Sequence, residues 1–129
     1  MGDRQSTNFA SRVFLVAGIY GVLVLVPGFF LEAQVGIVSP PPITHPEFYY
    51  GFYGSALAWQ LVFLMIARDA RRFRPLMLVA AVFEKLPFFA ACVLLYFDGR
   101  LAVGGPLIGS LIDGIWMVLF IVAWYRTPA

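Results

Sequence analysis

Four long apolar stretches, separated by short polar breaks, constrain this chain of 129 residues more than any other feature. They run over about 13–31, 46–67, 75–97 and 106–125. Wound as helices, stretches of about 18–20 residues cross the hydrocarbon core of a bilayer. A soluble fold would have to leave much of this surface in water: 61% of the residues are hydrophobic and 12% charged, against roughly half and a quarter in ordinary soluble domains. Lipid removes that cost, provided every backbone polar group is satisfied inside its own helix. The expected architecture is therefore all-α, an integral membrane four-helix antiparallel bundle in which residues 1–129 form a single transmembrane domain.

The basic residues set an orientation. Arg4 and Arg12 precede the first stretch, Arg68, Arg71, Arg72 and Arg74 crowd the second connection, and Arg126 follows the last stretch. The first connection, 32–45, has no Lys or Arg, and the third has Arg100 alone. The positive-inside bias then puts both termini and the arginine-rich connection in the cytoplasm, with the bundle in a cell membrane such as the bacterial inner membrane. So uneven a distribution argues against dual topology, which needs near-equal loop charges. Phe48, Tyr49, Tyr50, Phe52 and Tyr53 read as an outer interfacial belt, and Trp124 and Tyr125 as the inner one. The first stretch is expected to be retained, because Leu31-Glu32-Ala33 makes a poor signal-cleavage site.

Prolines and polar side chains punctuate the helices. Pro46, Pro75 and Pro106 suit first turns, where a missing N–H costs nothing. Thr44 and Glu47 have the spacing of a capping box. Residues 1–11 read as a short disordered tail. Cys92 and His45 are each the sole residue of their type, so an internal disulfide, a CxxC pair and a bis-histidine haem are all excluded. No cofactor is expected. His45 and Glu47 fit a helix cap better than a metal site. Nucleic acid is not an expected partner, since no basic run is interleaved with aromatics.

Ionisable groups at hydrocarbon depth cost on the order of 3 kcal/mol each and so need a reason. Counting about 1.5 Å per residue from the outer ends, Tyr20, Gln60, Glu84 and Lys85 fall about 18–22 Å down, with Asp113 one to two turns nearer the outside. The Lys85 stem is long enough to reach Asp113. Gly109, Ser110 and Asp113 share one side of the fourth stretch, and Ala80, Ala81, Glu84 and Pro87 one side of the third. Glycines at 18 and 21, and at 51 and 54, would permit close helix crossings. Pro87 frees the carbonyl of Phe83 beside the two charges. Glu84, Lys85, Asp113, Gln60, Trp116 and Tyr20 are therefore the candidate ligand-binding residues, with structural pairing of the same groups as the alternative. Neighbours in sequence project about 100° apart on a helix, so Glu84 and Lys85 are not expected to face one partner together.

Phe83-Glu84-Lys85-Leu86-Pro87-Phe88-Phe89 in the third stretch, and Pro27-Gly28-Phe29-Phe30-Leu31-Glu32 closing the first, set acids beside a proline and aromatics. In this they resemble the EXPERA superfamily of emopamil-binding and sigma-receptor-like proteins. The resemblance implies a compact membrane bundle holding an amphipathic, sterol-like cationic ligand on buried acids, with Glu84 as that acid and Glu32 a second. Isomerases of the family use His and Glu on the ligand. No His lies within a stretch here, so the resemblance implies binding rather than isomerisation.

Three functions fit these residues. The first is a non-catalytic bundle holding a small amphipathic or lipid-like ligand, with membrane lipid around it. The second is proton-coupled or ion transport by a homo-oligomer, with Glu84 and Asp113 as a relay. The third is an accessory subunit whose charges meet a partner membrane subunit. An enzyme is the least favoured, for want of a nucleophile–base pair. Quinone-linked disulfide enzymes need more cysteines, small multidrug exporters carry a central Glu in the first span, and the small fluoride channels lack this charge bias.

Overall fold

The computed structural model describes residues 2–129 and is helical throughout, with no strand among the described residues. Helix α1 is Gly2–Gly28, α2 is Glu32–Val38 and α3 is Pro46–Arg68. Helix α4, Arg74–Val79, runs into a π-helical turn over Ala80–Lys85 and on into α5, Leu86–Phe97; α6 is Gly105–Arg126. Four stretches are long and apolar enough to cross a membrane: Thr7–Gly28, Pro46–Arg68, Arg74–Phe97 and Gly105–Arg126.

The prolines open helices as expected, at the first or second position of α3, α4 and α6. The capping box does not form. His45 is the residue before α3 and makes no side-chain cap, while Glu47 turns to its ring, Oε1 lying 3.1 Å from Nδ1. The N-terminal segment is helix from Gly2 rather than a disordered tail; Met1 lies outside the described residues. Nothing between Gly2 and Arg12 interrupts a helix, and Ala10, Val13, Phe14 and Ala17 repeat at helical spacing on the buried side. The short helix α2 sits in a connection that reads as open loop in the sequence.

Helix α1 packs along both α3 and α6, and α6 in turn packs against α4, the π turn and α5. Glycine permits the tightest of these approaches. A Cβ added to Gly18 would press on Leu64, and one added to Gly21 would collide with the Gln60 carboxamide. Gly51 and Gly54 meet nothing within 4 Å and are exposed, so they mark no crossing inside this chain.

Packing is uneven along the bundle. Towards the arginine-rich end, Phe14 stacks on Phe120 at 4.2 Å between ring centroids, and Phe63 meets both edge-on at 5.8 and 5.0 Å. All three rings are fully buried, with Ile66, Met77, Ala80 and Ala123 around them. Arg74 closes this end. Its Nε donates to the carbonyls of Trp124 (3.2 Å) and Thr127 (2.7 Å), and its guanidinium lies 4.4 Å over the Trp124 ring. A cation on the last carbonyls of α6 also complements the helix dipole. At the opposite end the hydroxyl of Tyr49 donates to the Gly28 carbonyl at 2.6 Å and that of Tyr50 to Glu32 at 2.8 Å. The aromatics at the start of α3 thus fasten the end of α1.

The glycine contacts predict opposite outcomes for two similar substitutions. Gly21→Ala should cost about 1–3 kcal/mol through overpacking against Gln60. Gly54→Ala should leave stability unchanged or raise it by up to about 1 kcal/mol through helix propensity. Unfolding of the two variants in mixed micelles, followed by circular dichroism, measures both; equal losses would contradict the packing described.

Candidate functional site

The charged residues of the third span sit on its irregular turn. In the π segment the Leu86 N–H donates to the Ala81 carbonyl, five residues back. Pro87, the second residue of α5, has no N–H to continue an α-helical ladder through this point. Its ring is exposed, so it shapes the backbone and does not line the interior. A wide turn of this kind re-aims the side chains it carries, and such turns recur at functional sites.

Lys85 is 6% exposed, and its ammonium is the centre of the site. It donates to Asp113 Oδ1 of α6 at 3.0 Å and lies 3.3 Å from Glu84 Oε2. It also stands 5.5 Å from the centroid of the Phe63 ring, whose face attracts a desolvated cation. Glu84 and Lys85 thus form an ion pair with each other, while Lys85 is the one that bonds Asp113.

The two acids are not equivalent. Asp113 receives a charge-assisted hydrogen bond, the strong kind. Glu84 Oε2 is buried and within ion-pair distance, yet it has no hydrogen-bond partner among the described residues. Nor does Gln60 supply one; its Nε2 donates to the Ala56 carbonyl of its own helix at 2.9 Å. One ammonium faces two carboxyl groups, and the site carries a surplus of acid.

Beside this trio is a cavity of about 160 Å³. All six residues singled out in the sequence line it: Tyr20 from α1, Gln60 from α3, Glu84 and Lys85 from the π turn, and Asp113 and Trp116 from α6. Tyr20 and Trp116 face one another across it, with ring centroids 6.2 Å apart. Phe52 and Phe88 make a second aromatic pair at 6.3 Å. The cavity is not closed. Tyr20, Val24 and Phe52 line it and are also 40%, 52% and 52% exposed on the side of the bundle. Towards the arginine-rich end it stops at the Phe14, Phe63 and Phe120 cluster, whose Phe120 ring lies 6.2 Å from Trp116.

Sequence reasoning missed Val24, Phe52, Ala56, Phe88 and Gly109 in this lining. A signal was available. Phe52, Ala56 and Gln60 follow one another at four-residue steps, as do Gly109 and Asp113, so each lies on the same helix face as a polar residue already suspect. Ser110 belongs elsewhere: it is buried and donates to the Leu107 carbonyl at 2.7 Å. Glu32 is also remote, held by Tyr50 at the far end of the bundle.

Unequal bonding gives unequal sensitivity. Lys85→Met strands two buried carboxyl groups and should cost about 3–5 kcal/mol. Asp113→Asn, which weakens a charged hydrogen bond, should cost about 1.5–3 kcal/mol. Glu84→Gln should cost less than either, because Glu84 Oε2 has no hydrogen bond to lose. Denaturation in mixed micelles ranks the three. If Glu84→Gln proves as damaging as Lys85→Met, Glu84 is structural glue and not a free ligand group.

The chain matches no protein-family model, no curated protein and no solved structure.

Proposed function

We propose that this chain is a membrane-inserted, antiparallel four-helix bundle that binds one end of a small amphipathic or lipid-like molecule in the cavity beside Glu84. The convergence of six polar and aromatic residues from four elements on one open-sided cavity carries the reading. The volume refines it. About 160 Å³ is the size of a cavity that accepts benzene, and falls short of the roughly 300–1,000 Å³ that encloses a drug-sized ligand. The cavity would therefore take a polar head or a single ring, with the remaining apolar body leaving past Tyr20, Val24 and Phe52.

Charge favours a ligand with a donor or cationic head. Asp113 already holds Lys85, whereas Glu84 keeps an unbonded oxygen. Tyr20 and Trp116 line the same space, and aromatic rings attract a cation. The likeness to emopamil-binding and sigma-receptor-like bundles points the same way for Glu84; it finds no support at Glu32, which lies outside the cavity. In this reading the arginine-rich end, with the start of α1 and the end of α6, lies on the cytoplasmic side, as expected of a bacterial inner-membrane protein.

Transport fits less well. A relay through Glu84 and Asp113 needs a hydrated path to both sides, and the stacked phenyl rings block the arginine-rich side. The reading as an accessory subunit, or as a homo-oligomer, has one observation in its favour: the exposed small residues Gly51, Gly54 and Ser55 of α3 leave room for another helix.

Trp116 lines the cavity, whereas Trp59 packs against the core and Trp124 under Arg74. A variant keeping only Trp116 (Trp59→Phe, Trp124→Phe) should show saturable fluorescence change when titrated in neutral micelles with a long-chain primary amine. The corresponding long-chain alcohol should bind more weakly. Glu84→Gln should weaken the amine about tenfold or more, the scale of a charged hydrogen bond. Gly109→Phe should abolish the response, since a side chain there meets open space and fills the cavity. Unaltered binding in the Gly109→Phe protein would sink the proposal.

A further inference from the structure

A second concave surface lies between α1 and α3 at the arginine-rich end, away from the cavity. It is a groove of about 530 Å³. Asn8, Ser11 and Arg12 contribute from successive turns of α1, and Arg68 faces them from the last turn of α3. Beyond the arginines the wall becomes apolar, with Leu15 and Leu64. One turn further along the same faces stand Ile19 and Leu61, 48% and 55% exposed. A polar mouth thus leads into an apolar track on the outside of the bundle.

The charge at the mouth is uncompensated. Neither Arg12 nor Arg68 has a carboxylate within ion-pair distance among the described residues. The acid beside them in sequence, Asp69, spends one oxygen on the Arg72 N–H at 3.1 Å. Other arginines of this end are engaged: Arg74 on the carbonyls of α6, and Arg126 over the Phe9 ring at 4.5 Å. Arg12 and Arg68 line this groove together, while Arg68 also borders a smaller recess with Asp69 and Arg72. Two guanidiniums with an amide and a hydroxyl between them suit a phosphate, because guanidinium forks match its oxygens.

We propose that this groove is a binding site for an anionic phospholipid of the adjoining leaflet. Its phosphodiester sits between Arg12 and Arg68, Asn8 and Ser11 meet the remaining oxygens or the headgroup hydroxyls, and one acyl chain lies along Leu15 and Leu64. The apolar track is what distinguishes a lipid from a soluble anion, and two arginines with no ion pair among the described residues favour an anionic head over a zwitterionic one. Basic recesses between membrane helices bind lipid headgroups on these grounds. The site rests on the membrane insertion proposed above and is independent of the ligand reading for the cavity.

The test uses delipidated full-length protein in a non-ionic detergent, titrated with phosphatidylglycerol or phosphatidylcholine and read by native mass spectrometry. Phosphatidylglycerol should bind at least about tenfold more tightly than phosphatidylcholine. Arg12→Gln with Arg68→Gln should weaken it about 30-fold, the scale of two arginines at a lipid surface. Arg71→Gln with Arg72→Gln removes the same charge from the same end and should change it less than about threefold. Equal affinity for the two lipids, or equal losses in the two double variants, would overturn the site, and the lipid comparison needs only the unaltered protein. Displacement of phosphatidylglycerol by inorganic phosphate alone would also overturn it, by making the groove a site for soluble anions.

Discussion

The placement of one ammonium organises the centre of this protein. Taking Lys85 out of water costs several kcal/mol, which only close and well-aimed partners can offset. Asp113 supplies the aimed hydrogen bond, Glu84 an ion-pair contact and Phe63 a ring face. These three come from α6, the π turn and α3, so holding one charge fixes the relation of three spans. The arrangement leaves an imbalance as well. Lys85 aims its hydrogen bond at Asp113, and Glu84 Oε2 is left with an ion-pair contact at 3.3 Å and no well-aimed hydrogen bond. A site assembled only for stability would be expected to close on that atom, since an unsatisfied buried acceptor costs about 1–3 kcal/mol. Here Glu84 lines a cavity instead.

Packing along the bundle explains why the cavity lies where it does. Between apolar helices in lipid there is little hydrophobic drive to associate, so contact quality decides where they close. Phe14, Phe63 and Phe120 interlock on one side of the charged layer, and Arg74 ties the ends of the third and fourth spans together there. On the other side, α1 and α3 stay close through Gly18 and Gly21, and α5 packs on α6, but between these two pairs the wall is partial. The same trio that holds the spans together therefore forms the floor of an opening.

Much of this was legible in the amino-acid order, because the strongest energetic constraints are also the simplest to read. The four apolar stretches match the four long helices to within a few residues, apart from the start of the first, and the prolines at 46, 75 and 106 open helices as their geometry demands. Glu84, Lys85, Asp113 and Gln60 line one cavity, as expected of groups that would meet hydrocarbon if turned outward from an inserted bundle. Weaker or longer-range preferences were not legible. The Thr44 cap loses to a contact between His45 and Glu47. The first eleven residues are helical where described because Ala10 and Phe9 find partners on other helices, which a local reading cannot supply. The π turn had a local signal in Pro87, but the backbone's response to a missing N–H can be a kink, a break or a wider turn. Which one forms depends on what the side chains reach, and here they reach Asp113.

The two concave surfaces differ in sign and in depth, and the depths bear on what the cavity could hold. Arginines 12, 68, 74 and 126 belong at headgroup level if the bundle is inserted as proposed. Tyr20 and Gln60 lie eight residues further along their helices, Glu84 and Trp116 ten, so the cavity sits about 12–15 Å from that level at about 1.5 Å per residue. Half of a typical hydrocarbon core is about 15 Å. Tyr20, Gln60, Glu84 and Trp116 are then close to the midplane, with phenyl rings on their arginine side and exposed lining residues at the flank of the bundle. On the arginine side a hydrated solute would have to pass the Phe14, Phe63 and Phe120 rings. A molecule already dissolved in the bilayer can enter beside Tyr20, Val24 and Phe52, where its polar end would meet the carboxyl groups of Glu84 and Asp113. Depth, closure and unsatisfied acid thus select the same kind of ligand, apolar along its body and donating at its tip.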